Sequence, residues 1–101
     1  MLTLVISTPV PTVPSDRASA RLEWRAWIDA LARSGEVRMW APRVGRGAVA
    51  VFDLPSNEVL HERLTVWAAF VPAHFDLYPL VDPDAHMQAL QAIRERAAEG
   101  S

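Results

Sequence analysis

The chain has 101 residues, half of them hydrophobic, with twelve Asp and Glu against ten basic residues and a formal net charge of −2. That length suits one domain with one modest core, and the apolar content argues against disorder. The basic residues are scattered rather than clustered, so no nucleic-acid footprint stands out. All ten are arginine and no residue is cysteine, which excludes lysine Schiff bases, disulfides, thiolate metal ligands and thiol nucleophiles.

The first 15 residues, MLTLVISTPVPTVPS, lack a basic segment and are interrupted by prolines, so a signal peptide is not expected. No apolar run nears the roughly 20 residues that cross a bilayer. The expectation is a soluble, cytoplasmic protein with neither nucleic-acid nor membrane partners. LTLVISTP (2–9) is β-branched and apolar, a strand covered at least partly on both faces, and Pro11 and Pro14 end it. Ser15 is placed to cap a helix over 16–34, with Asp16 in its first turn. Ala20, Trp24, Trp27, Ile28 and Leu31 form its apolar stripe, and Gly35 stands at the left-handed cap.

EVRMWAPRV (36–44) alternates, which puts Val37 and Met39 on one face and Arg38 and Trp40 on the other. GRG (45–47) is turn material before a second strand, GAVAVFDL (47–54), and the two read as a hairpin. Ser56 caps a second helix in which Leu60, Leu64, Trp67 and Val71 share a face, and Pro72 stops it. AHFDLYPLV (73–81) sends Phe75 and Leu77 one way and His74, Asp76 and Tyr78 the other. Asp82-Pro83 then opens a third helix, 83–98, striped by Met87, Leu90, Ile93 and Ala97.

The order β-α-β-β-α-β is the ferredoxin-like arrangement: an α+β domain spanning 1–101, with a four-stranded antiparallel sheet, both helices on one face and an added C-terminal helix. Its other face is left bare and apolar. An uncovered surface of several hundred Å² is rare in a soluble monomer, so the pattern predicts a homo-oligomer with a cavity in or beside the interface.

Several segments together resemble the muconolactone isomerase family. They are Met39-Trp40, Gly45, Phe52-Asp53-Leu54-Pro55-Ser56, Leu60-His61, the helix ending LARSGEV, and the Phe-x-Pro at 70–72. The likeness covers residues 1–81 and is strongest over 33–64. It implies a ferredoxin-like dimeric α+β barrel and a cofactor-free proton shift that moves a double bond in an unsaturated lactone. Related domains handle polyketide-like substrates. Where the family carries an arginine directly after the tryptophan, this chain has Ala41, and the nearest arginine is Arg43.

A proton shift beside a carbonyl needs a base, a route for returning the proton, and donors for an enolate-like charge. Glu23, at the flank of the first helix's stripe, and His74 with Asp76 are the candidate catalytic residues. Arg38, Trp40, His61 and Tyr78 are the candidate substrate contacts. Each also has a plainer reading: Glu23 as a solvated helix edge, His74 and Asp76 as strand rim, Arg38 as a cross-strand partner, and His61 as a solvated helix residue. Trp24, Trp27 and Trp67 read as core, whereas Trp40 is expected to face away from the helices. The three histidines fall on separate elements with no metal-ligand spacing, so no metal is expected; there is no phosphate-cradling glycine loop or dinucleotide fingerprint, and the resemblance implies no cofactor. The reading is a cofactor-free isomerase or cyclase for a small unsaturated carbonyl, lactone or polyketide-like substrate. Its alternatives are a cofactor-independent oxygenase of the same architecture and a non-catalytic ligand-binding or partner subunit.

Overall fold

The computed structural model describes residues 1–11 and 17–100. In chain order they form β1 (Leu2–Pro9), α1 (Arg17–Ser34), β2 (Val37–Pro42), β3 (Ala48–Asp53), α2 (Asn57–Phe70), β4 (Ala73–Leu80) and α3 (Pro83–Glu99). The strands make one antiparallel sheet in the order β2-β3-β1-β4. This is the ferredoxin-like topology expected from the pattern of elements. The Ser15 cap and Asp16 lie outside the described residues.

Local chemistry sets the ends of the elements. Ser56 Oγ accepts a hydrogen bond from the Val59 amide (3.2 Å), satisfying one of the donors that open α2. Asp82 Oδ1 does the same for the Asp84 amide (2.8 Å), with Pro83 at the first helical position of α3. Gly35, at φ +87°, follows α1.

One face of the sheet carries the core. Val5, Ala50, Phe52 and Val37 pack under Trp24 and Ile28 of α1 and under Leu60, Leu64 and Trp67 of α2. Trp67 is 2 % exposed and stands among Trp24 (ring centroids 5.0 Å apart), Phe75 (5.4 Å) and Phe52 (6.4 Å). Deleting a buried ring of this kind costs about 3–5 kcal/mol. Arg63 of α2 donates to Glu36 Oε1 (2.8 Å), tying the helix to the start of the hairpin.

Among the described residues, no helix lies over the other face. Strand alternation and register place Leu2, Leu4, Ile6 and Thr8 there, beside Val49, Val51 and Asp53 on one side and His74, Asp76, Tyr78 and Leu80 on the other. Met39 (53 % exposed) and Tyr78 (51 %) widen that apolar surface.

The reading of β2 needs correction. The alternation in β2 is broken by a bulge: Val37 pairs with Phe52, but Met39 pairs with Val51, so Arg38 is an extra residue. Val37 and Trp40 therefore share the helix face, whereas Met39 and Ala41 lie on the open one. Trp40 packs edge-on against Trp24 (5.3 Å) and faces toward the helices, not away from them, and it does not share a face with Arg38.

The added helix α3 is present, and its stripe meets none of the core. None of its residues is buried. The described chain is 68 Å long but only 26 × 22 Å across, as follows if a helix about 25 Å long projects from the sheet.

Candidate functional site

The β2–β3 hairpin builds one end of the site. Gly47, at φ +85°, passes so close to β1 that a Cβ there would overlap the Ser7 carbonyl oxygen. The approach lets buried Ser7 stand in for the strand ladder: its Oγ donates to the Ala48 carbonyl (3.2 Å) and accepts from the Ala48 amide (3.0 Å). Arg43 is fixed on the same junction. Its amide donates to the Gly47 carbonyl (2.9 Å), and its Nη1 donates to the Ser7 carbonyl and to Thr8 Oγ1, both at 3.0 Å.

Between this junction and the two helices lies a cavity of about 660 Å³, within the usual range for small-molecule sites. Trp24, Trp40, Trp67 and Phe70 wall it. Four arginines line it as well, Arg21 and Arg25 from α1 and Arg43 and Arg46 from the hairpin. No carboxylate or imidazole is among the described lining residues. Arg25 stacks 4.7 Å above the Trp40 ring while its Nε donates to Asp29 Oδ2 (3.0 Å). Asp29 Oδ1 also accepts from Trp40 Nε1 (3.2 Å), so one carboxylate holds both the wall and the cation stacked on it.

The residues singled out from sequence are distributed as follows. Trp40 lines the cavity. Glu23 is exposed on α1 and outside the lining. His61 is exposed on α2, where its carbonyl accepts from Thr65 Oγ1 (2.8 Å). Arg38 lies on the open side, where its Nε donates to Asp53 Oδ2 (2.9 Å) and its Nη2 engages the same oxygen. That arginine, by its hydrogen bond above all, holds the Asp53 carboxyl below its ordinary value, against the opposing effect of desolvation.

His74, Asp76 and Tyr78 share the open face, with His74 Nε2 3.3 Å from Asp76 Oδ1 and the two side chains 71 % and 50 % exposed. The structure thus separates the aromatic wall from the histidine–aspartate pair by the thickness of the sheet. Arg43 connects them at the rim: it lines the cavity and bonds Thr8, whose Cα partner on β4 is His74. Among the described residues, no three His, Asp or Glu side chains gather as metal ligands.

The arginine set was missed in the sequence. Its local signals were Arg21 and Arg25 at helical spacing on either side of Trp24, and the pair of arginines in RVGRG (43–47). The packing of α1 against β2 and the close crossing at Gly47 together bring the two pairs onto one cavity.

No family model matches the chain. A search of curated proteins likewise finds no match. Among solved structures, the chain is similar to muconolactone isomerase, with 27 % identity, a TM-score of 0.67, and coverage of 82 % of this chain and 92 % of that one. It is also similar to 5-chloro-2-hydroxyhydroquinone dehydrochlorinase from Burkholderia phenoliruptrix AC1100, solved with 2,5-dihydroxybenzoquinone, with 13 % identity, a TM-score of 0.58, and coverage of 84 % and 98 %. At that identity the second likeness speaks for the fold alone.

Proposed function

We propose that this chain is a small-molecule enzyme of isomerase or lyase type, moving a proton at a carbon next to a carbonyl in an unsaturated carbonyl, lactone or polyketide-like substrate. The observation that carries the reading is the likeness to muconolactone isomerase over most of both chains, at 27 % identity. The cavity geometry agrees with it, because proton removal beside a carbonyl leaves negative charge on oxygen, which guanidinium donors stabilise.

In this reading the substrate reaches over the rim at Arg43, with its carbonyl oxygen on that guanidinium, its ring toward Trp40 and its reacting C–H on the open side. His74, one strand spacing from the Arg43 contact on Thr8, takes the proton on Nδ1. Asp76 lies close to Nε2 and steadies the imidazolium. The electrons of the broken C–H bond move into a dienolate held by Arg43, and His74 returns the proton at a different carbon, so the isomerisation consumes no co-reactant. The bare apolar sheet face supports assembly of copies, which would enclose His74, Asp76 and Tyr78. Glu23, Arg38 and His61 have no place in this step.

A second reading, a ligand-binding subunit without chemistry, is favoured by the lack of any carboxylate or imidazole in the described lining. Solvent deuterium exchange into butenolide acids separates the two. The enzyme reading expects exchange in wild type and a fall of 10²-fold or more in His74→Ala, the scale of general base catalysis. Absence of exchange across a panel of such lactones and of linear polyketide mimics favours the binding subunit. Undiminished exchange in His74→Ala would reassign the base.

A further inference from the structure

The cavity's charge is out of keeping with that of the chain. A protein of net charge −2 places four arginines and no described acid on one apolar cavity. Arg25 is balanced by Asp29. Among the described residues, the Arg43 side chain donates from Nη1 alone, to a carbonyl and a hydroxyl, and neither compensates its charge. Arg21 and Arg46 have no hydrogen bond or ion pair among the described residues. Three positive charges on two separate elements thus surround an aromatic wall. Such a field is unfavourable in the empty protein and is relieved by an anion.

A further observation points into the same cavity. Trp24 is 9 % exposed and lines the cavity, and its indole N–H is buried without a hydrogen-bond partner among the described residues. Buried donors of this kind are rare in folded proteins and mark a place where an acceptor is missing. Trp40, by contrast, has its N–H satisfied by Asp29.

We infer that this cavity selects a planar, unsaturated or aromatic ligand bearing two anionic groups, one for Arg21 of α1 and one for Arg43 and Arg46 of the hairpin. The inference rests on the cavity being the ligand site of the function proposed above, and it sharpens the substrate class of that site to a dianion. A monoanion would leave one side of the cavity uncompensated, and a neutral molecule would leave both. Carboxylates suit the role because guanidinium groups bind them through paired, charge-assisted hydrogen bonds.

Isothermal titration calorimetry tests this without reference to turnover, using naphthalene-2,6-dicarboxylate, 2-naphthoate and 2-naphthamide as probes of equal ring size. The dicarboxylate should bind at least about tenfold more tightly than the monoacid, the loss expected for one charged hydrogen-bonding group, and the amide more weakly still. Arg21→Gln and Arg46→Gln, both exposed changes, should each cost the dicarboxylate about tenfold and leave the amide unchanged. Arg33→Gln, at the far end of α1 and outside the lining, is the control for overall charge.

The inference is overturned if the three probes bind alike, if none binds at millimolar concentration, or if Arg33→Gln weakens the dicarboxylate as much as Arg46→Gln does. Probe binding without any deuterium exchange would refute the enzyme reading and leave the dianion site standing. Exchange with neutral lactones, together with indifference to the dicarboxylate, would do the reverse.

Discussion

Gly47 and Gly45 sit two residues apart in one turn, both at positive φ (+85° and +93°), yet their surroundings differ. A Cβ at Gly45 meets nothing within 4 Å, whereas one at Gly47 would overlap the Ser7 carbonyl oxygen and approach Pro9 Cδ at 3.2 Å. Gly45→Ala therefore bears only the conformational cost of an L-residue in the left-handed region, about 1–2 kcal/mol, partly offset by lower unfolded-state entropy. Gly47→Ala bears the same cost and a steric one, and the neighbour it strikes is backbone rather than a flexible side-chain end. Overpacking costs about 1–3 kcal/mol. Moving Ser7 away also strains the two bonds between its hydroxyl and Ala48, and a buried group left unpaired costs about 1–3 kcal/mol more.

The expected destabilisations are thus about 1 kcal/mol for Gly45→Ala and about 3–7 kcal/mol for Gly47→Ala. In a chain of this size that corresponds to a drop in melting temperature of about 4–8 °C for the first and at least about 12 °C for the second. Urea denaturation followed by tryptophan fluorescence measures both, and the m-values should be unchanged if only native stability is altered. If the two variants agree within about 0.5 kcal/mol, the close crossing is not what holds the hairpin against β1. Arg43 would then owe its position to something other than this crossing.

Two other outcomes follow from the same geometry. In an NMR titration, the Asp53 carboxyl should have a midpoint below the ordinary 3.8, and Arg38→Gln should move it upward. With a depressed native value, the stability contributed by this pair is present above the ordinary value and is lost as pH falls through the native one, and an unchanged midpoint in the variant would remove Arg38 as the cause. Leu90→Gln and Ile93→Gln on α3, at residues 46 % and 62 % exposed, should each change unfolding free energy by less than about 0.5 kcal/mol. A concentration-dependent loss greater than that would show that α3 is buried against a second copy.

The element order and the two faces of β4 were legible because each rests on local signals: a cap at Ser56, the Asp82-Pro83 start, and alternation through AHFDLYPLV. Trp40 was misplaced because a bulge is one residue of extra length in one strand, and the sequence of β2 carries no mark of it. The arginine cavity escaped notice because it is assembled from segments 20 residues apart whose meeting depends on tertiary packing. For α3 the periodicity showed an apolar face correctly, but a periodic pattern does not say what covers that face.

The bulge does more than correct an assignment. Were Arg38 paired in regular alternation instead of bulged, Trp40 would fall on the open face. The cavity would lose a wall, Arg25 its stacking surface, and Asp29 the indole donor that helps to fix it. The bulged residue is itself anchored, through the Arg38–Asp53 pair, to the neighbouring strand on the opposite side of the sheet. Arg38 thus serves the cavity without touching it: the ion pair on the open face favours the backbone irregularity that puts tryptophan on the other. This explains how a binding wall and its supporting charge come to lie on opposite faces of one strand, an arrangement that strict alternation at Arg38 and Trp40 would forbid.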